Sequence, residues 1–509
     1  MSKAVISVGL LAVYFLVIIW AVFFTKTGKM QEKSIEEFAV GNRSLGWVIV
    51  LFIIMGILIT ASTFASWFSW AVFEGLIVQY LLIYCTLGFL FTYVFAKKIW
   101  IWGRRFNLLT QPDYVQLRYR SRILTSLFAA CAILIEAPWV VMEFAAMGIL
   151  MSALTYGIIG PKLGLLIIAI VVVAYILYSG MRAIAITELI QGIISSVVIA
   201  IGLILVVYKL FGGFGNLYQT VMTVSPESLT ISYGGVYSYE YWSSIIITGS
   251  LGIMGWCSFF SRIYTSKSII DVKRVSVLSA VIGFIFAAVL LILAMGGINF
   301  PNVVEAAGSE MGFFEMVDMA FGPWFLGFAG IVVVAAGMSM VSVIMNSHGV
   351  IIAENFVQPL RKKKLDSEAR MKVARWSLLI YSIIAVGIAL MDLPNLYTIA
   401  LLAYEGITQI VPMLLLSLYW RRSNKYGALF GFVVGLIVAI SYATVNVQNI
   451  EWWTGGVVGL VANVVIHIIC GFVFPKDAHV DELFAVIDDY EEHGQKALAV
   501  EQMKSVVAE

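Results

Sequence analysis

Two stretches decide how this chain is read: MGILITASTFASW at residues 55–67 and ITGSLGIMGWCS at residues 247–258. Each lies in an apolar run of the length that crosses about 30 Å of hydrocarbon, and each is interrupted where an ordinary membrane helix is uniformly apolar. In the first, Gly56 is followed by Thr60, Ala61, Ser62 and Thr63; in the second, Gly249, Gly252 and Gly255 recur at steps of three. Backbone unwound at membrane depth is tolerated only where its freed carbonyls line a cavity or hold an ion. Taken singly, each segment reads better as close helix packing through small residues, and position tips the balance. If each opens a group of five spans, the groups run over 46–210 and 241–420, similar in length. Five being odd, the second group is inverted relative to the first. Interrupted helices at corresponding places in inverted halves point to a transporter with its site at the membrane midplane.

Composition agrees. Of 509 residues, 61% are hydrophobic and 12% charged, too apolar and too charge-poor for a soluble enzyme. Reading apolar runs between polar breaks predicts thirteen spans: 5–24, 46–73, 77–98, 122–153, 161–180, 184–210, 241–265, 275–298, 324–355, 376–392, 395–420, 426–446 and 453–475. The expected fold is an all-α polytopic membrane protein with a core of two inverted five-helix repeats whose first helices are discontinuous. Residues 1–45 supply an extra span and a linker, 211–240 an external loop, 421–475 two additional spans and 476–509 a polar tail. The first span lacks a small-residue cleavage site and is expected to be retained. Of the 32 Lys and Arg, 29 fall in alternate connections, with only Lys3, Lys162 and Lys209 on the other side. That asymmetry predicts a cell-membrane protein with its N-terminus outside and its tail in the cytoplasm.

The net charge of +2 argues against a nucleic-acid partner; a small solute and membrane lipid are the expected partners. The tail has a weak helical pattern and is expected as an amphipathic appendage, with a cytoplasmic partner as the alternative. Cys85, Cys131, Cys257 and Cys470 sit in apolar runs without zinc-type or redox spacing, which indicates neither disulfides nor a metal centre.

Further stretches carry a family resemblance: FAVGNRSLG before the second span, ITASTF within it, LLTQPDYVQLRYRSR after the third, YSGMRAIAITELIQG from the fifth into the sixth, AAGMSMVSVIMNSHGVIIAENF in the ninth, and GITQIVPMLLLSLYWRRSNKYGALFGFVVG across the eleventh and twelfth. In this order and topology the chain resembles the sodium:solute symporter family, and the resemblance covers nearly all of the membrane region. It implies the inverted five-plus-five fold and a sodium site of backbone carbonyls from the first broken helix, with a carbonyl and two adjacent hydroxyls from the eighth core helix. Carried over, the carbonyls fall on Gly56, Ile59 and Ala336, and the hydroxyl pair on Ser339 and Met340. The second hydroxyl is missing, and a thioether is a soft ligand where sodium wants oxygen. Two other departures follow. Glu188 stands after Thr187 where the family usually has Asp, and CSFFSR keeps only Arg262 of a usual Pro and Gln-Arg; both residues are read as coupling or gating positions.

Ionisable groups deep in spans are functional candidates. Glu136 and Glu143, seven apart, share one helix face beside Trp139, and Glu405 precedes Gln409 by one turn. One reading makes these carboxylates counter-charges to a cationic substrate, with Thr60, Thr63, Trp67, Trp139 and Trp256 as cavity wall; a second makes one of them a proton carrier. A third has them capping broken helices or pairing with Arg. The expected function is import of a small organic solute, a cationic amine or an amino acid, by alternating access driven by sodium or protons, with no cofactor besides that cation. A monocarboxylate remains open, although ionised Glu136 and Glu143 would repel it. A transporter-like sensor and an uncoupled facilitator are the alternatives. No zinc motif, phosphate loop or nucleophile elbow appears, so an enzyme is not expected.

Overall fold

In a computed structural model the chain is described at residues 2–27, 34–178, 181–232, 235–445, 450–494 and 498; most of the tail beyond Gly494 lies outside the described residues. Helix α1 spans Lys3–Thr27. The first broken span consists of α2 (Trp47–Leu58) and α3 (residues 61–74, opening with a π-helical turn at Thr63–Trp67). Then follow α4 (Tyr80–Arg105), α5 (Gln111–Tyr119), α6 (Arg122–Leu154), α7 (Pro161–Tyr178) and α8 (Met181–Phe211). The second broken span is α9 (Tyr239–Gly255) with α10 (Cys257–Thr265), bent by 49°. After it come α11 (Ile269–Gly296), α12 (Pro323–Ile351), α13 (Ser367–Ala389), α14 (Leu396–Ile407) and α15 (Val411–Tyr419). Helices α16 (Lys425–Val445), α17 (Gly455–Val473) and α18 (Val480–His493) complete the described chain.

Among the described residues, nine helices are long and apolar enough to cross a membrane, or up to eleven if each bent pair is one span. By that criterion the count of thirteen spans expected from sequence, two of them interrupted, is not confirmed. The physical reason is local: α2 ends after 12 residues, α3 runs through a short turn at Gly75–Gln79 into α4, and a further helix, Phe214–Val224, leaves α8 at 59°.

Packing sorts the core into two groups. Helix α4 packs on α9 and α11, and α11 packs back on α2; separately, α6 packs on α7 and α12, and α13 on α6, α7 and α12. The broken helices belong to the first group and α6 to the second, so both interruptions face the seam between them. The closest approach across that seam is at Gly56, where an added Cβ would stand 1.8 Å from Ser339 Oγ of α12.

The tail helix α18 is amphipathic, as expected. It buries Val480, Leu483, Phe484 and Ile487 against α4, accepts a hydrogen bond from Trp102 Nε1 at Leu483 O (2.9 Å), and is flanked by Arg421–Asp481 (3.1 Å) and Lys97–Glu491 (2.7 Å) ion pairs. Its apolar face is thus covered by its own chain.

Gly56→Ala is expected to cost about 1–3 kcal/mol through overpacking against Ser339. The check is the melting temperature of purified protein; an unchanged melt would contradict this approach of α2 to α12.

Candidate substrate cavity and ion site

At the first break, Ile59 is extended (φ −92°, ψ 103°) and the helix restarts at Ala61. A restarting helix presents N–H groups with no partner in the preceding turn, and in an apolar surround each must find an acceptor. Glu143 of α6 supplies it: Ala61 N donates to Oε2 (2.7 Å), while Ser62 N (3.3 Å) and the Ser62 hydroxyl donate to Oε1. The second break repeats the arrangement. Trp256 is extended (φ −67°, ψ 116°), and Ser258 N donates to Glu136 Oε1 at 3.2 Å, with Ser258 Oγ at 3.3 Å. The seven-residue spacing thus places two caps on one face of α6, one for each half-helix. A carboxylate at a helix N-terminus also meets the positive end of the helix dipole.

This corrects the counter-charge reading. Glu136 and Glu143 are 1% and 0% exposed, accept from the restarting half-helices, with Glu136 Oε2 also meeting Cys257 and His348, and do not line the cavity between the broken helices. Glu405 and Gln409 are displaced from it too. Glu405 accepts from Gly456 N at the start of α17, and Gln409 donates to Gly456 O (2.8 Å) while its own carbonyl accepts from Asn463 (2.8 Å). These two residues fasten α14 and its following turn to α17.

In this conformation the cavity leaves about 30 Å³ of open space. Among the residues expected to bind substrate, Thr60, Thr63, Trp67, Trp139 and Trp256 line it, and so do Tyr84, Tyr404 and Phe259, which the sequence did not single out. Trp67 and Trp139 stack (centroids 6.2 Å, 11°), and Trp256 stacks on Tyr404 (6.0 Å, 17°). The hydroxyls of Thr60 and Thr63 bond each other at 2.8 Å. The indole N–H groups of Trp139 and Trp256 are buried without a hydrogen-bond partner among the described residues. The wall therefore offers aromatic and aliphatic faces, the hydroxyls of Thr60, Thr63, Tyr84 and Tyr404, and the buried indole N–H groups of Trp139 and Trp256, and no ionised side chain.

Next to Trp67 in sequence, Ser66 Oγ donates to Glu310 (2.8 Å), which also accepts from Leu396 N (3.0 Å), and Ser66 Oγ accepts from Tyr397 N (2.9 Å). Burial raises the Glu310 carboxyl above its ordinary pKa, and Tyr397 stacks on Trp70 at 4.5 Å.

A second, smaller cavity is lined by Gly56, Ile59, Ala336, Ser339, Glu188 and Gln191. The Ser339 hydroxyl donates to Glu188 Oε2, and Ser342 Oγ lies 3.5 Å from Oε1. Met340 is fully buried and brings no oxygen. The carboxylate from α8 thus reaches Ser339, beside the position where the second hydroxyl was missing. Arg262 does not line this cavity; it donates to Ser258 O (3.3 Å), Val343 O (3.4 Å) and Ser347 Oγ (3.0 Å), tying α10 to α12.

With this geometry in view, the comparisons are specific. The sodium:solute symporter family model matches residues 38–435. YhjB, an uncharacterised symporter of Bacillus subtilis, is 26% identical over 86% of this chain and 90% of its own length. The sodium/pantothenate symporter of Escherichia coli is 26% identical over 87% and 90%. The solved structure of a substrate-bound, outward-open Na+-coupled sialic acid symporter shares the fold, with a TM-score of 0.78 at 17% identity over 93% of this chain and 98% of that one. The chain belongs to the sodium:solute symporter family and is a multi-pass membrane transporter, not an enzyme.

Proposed function

We propose that this protein imports a small organic solute by alternating access, the solute held in the tryptophan-lined cavity and its uptake coupled to sodium bound by Gly56, Ile59, Ala336 and Ser339 together with Glu188. The observation that carries the reading is the cavity itself, set between two helix interruptions and bordered by an oxygen cluster one turn away on α2. Helix ends that meet at such a seam are positioned to grip a guest and to part when one helix group rocks against the other. The charge asymmetry supports an external N-terminus and a cytoplasmic tail in the cell membrane.

The same wall favours some solutes over others. A cationic amine finds aromatic faces but no carboxylate in the wall, because Glu136 and Glu143 stand behind it at the two helix restarts. The spare indole donors favour a guest with hydrogen-bond acceptors on an apolar body, an amino acid or a monocarboxylate. The objection that Glu136 and Glu143 would repel a monocarboxylate falls, since helix N-termini face both. Relatives named for pantothenate and for proline support this chemistry.

A second reading, proton coupling through Glu188, is favoured by one observation: the Ser339 hydroxyl already donates to that carboxylate, so the ligand set is internally satisfied without an ion. Proteoliposomes given separate sodium and proton gradients distinguish the two. Sodium-driven uptake is expected in the parent, and Glu188→Gln is expected to lower sodium affinity by tenfold or more, about 1.4 kcal/mol. Uptake driven by protons alone would establish the second reading, and indifference to both gradients would leave a facilitator.

Trp256→Phe keeps most of the ring and removes the N–H. Solute affinity should fall about 2- to 10-fold, or ~0.5–1.5 kcal/mol, with sodium dependence intact. Unchanged affinity would remove the indole from recognition.

A further inference from the structure

The polar cluster behind the cavity wall contains more than a helix cap. Glu136 uses Oε1 for Ser258, and its other oxygen, Oε2, faces Cys257 Sγ at 3.3 Å and His348 Nε2 at 2.9 Å. All three ligand atoms lie within 4.8 Å of one another, on three fully buried residues from α6, α10 and α12. His348 Nδ1 is buried without a partner among the described residues, as is the hydroxyl of Tyr381, whose ring packs edge-on at 5.2 Å. Sequence spacing could not reveal this group, because its members are 121 and 91 residues apart and meet only through the fold.

We infer that Glu136, Cys257 and His348 form a site for a borderline-soft divalent cation of the zinc class. A carboxylate oxygen, a thiolate and an imidazole nitrogen are the donors such an ion takes. Bond lengths of about 2.0–2.3 Å at tetrahedral angles put paired ligand atoms about 3.3–3.6 Å apart, so the two Glu136 contacts need to open by only a few tenths of an ångström, and Cys257 Sγ and His348 Nε2 stand within 4.8 Å of each other. As the metal–sulfur bond forms, the Cys257 thiol releases its proton to water. The His348 Nε2–H that now donates to Glu136 gives its proton to water and the ring takes one up on Nδ1, so that the Nε2 lone pair is free for the metal. The carboxylate and thiolate together neutralise the divalent charge, which removes the main penalty of burying it. The fourth position falls to water or a solute group. Arg262 is the cation nearby, and its guanidinium is engaged by Ser258 O, Val343 O and Ser347 Oγ. Cys257 directly follows Trp256, which lines the cavity, so the site lies one residue behind the cavity wall. It is distinct from the cluster at Ser339.

Cobalt(II) tests this directly, since a cobalt–thiolate bond has its own absorption band. Purified full-length protein should bind one equivalent with a thiolate band, which zinc displaces while raising the melting temperature. The band should persist when Cys85, Cys131 and Cys470 are all replaced by Ala. It should be lost in Cys257→Ser, and His348→Gln should weaken binding at least about tenfold. Absence of the band from both the parent and the protein keeping only Cys257 would overturn the site, as would a band that survives Cys257→Ser. These readouts do not depend on transport.

Discussion

Two carboxylates on one helix hold this architecture open. A membrane helix that stops and restarts inside the bilayer strands backbone N–H groups where no water can reach them, at a cost of several kcal/mol apiece. Here Glu143 and Glu136, two turns apart on α6, receive the N–H groups of the restarting half-helices at Ala61–Ser62 and at Ser258. Each negative charge is stabilised by what it caps, because a helix N-terminus carries partial positive charge, and each interruption is tolerable because a carboxylate meets it. The cavity between Trp67, Trp139 and Trp256 exists on that condition.

The same arrangement divides the labour among buried acids. Glu136 and Glu143 maintain the breaks, Glu405 anchors α14 to α17, and Glu188 is the one that reaches the Ser339 cluster. Aromatic rings, hydroxyls and unused indole donors are left to meet the solute. Under the proposed function, a wall of that chemistry selects by shape and acceptor groups, and the coupling cation is assigned to the cluster one helix turn away. Close packing at Gly56 brings that cluster together, since any side chain there would occupy the space of the Ser339 hydroxyl.

The interruptions were legible because glycine and hydroxyl residues are out of place in an apolar run, and their symmetric placement exposed the inverted halves. Tryptophans within those runs were legible as cavity wall for the same reason. The role of the carboxylates was not. A spacing of seven says that Glu136 and Glu143 share a face, but what stands opposite that face depends on tertiary packing, and the opposite party proved to be backbone. Tyr84 and Tyr404 carry no mark among 23 tyrosines, and only the packing of their helices brings them to the cavity. Glu405 misled because the N-terminal turn it caps, at Gly455–Gly456, lies some fifty residues downstream and carries no mark of its partner.

The capping role is most directly tested by the stability of Glu143 variants in the absence of any solute. Glu143→Leu, which removes the acceptor while keeping the bulk, should melt well below the parent, with a loss of about 3–5 kcal/mol as expected when buried partners of a charge are left unpaired. Glu143→Gln, which keeps one acceptor oxygen, should lose distinctly less. If both variants melted like the parent and differed only in solute affinity, Glu143 would be a substrate ligand and the central claim would be wrong.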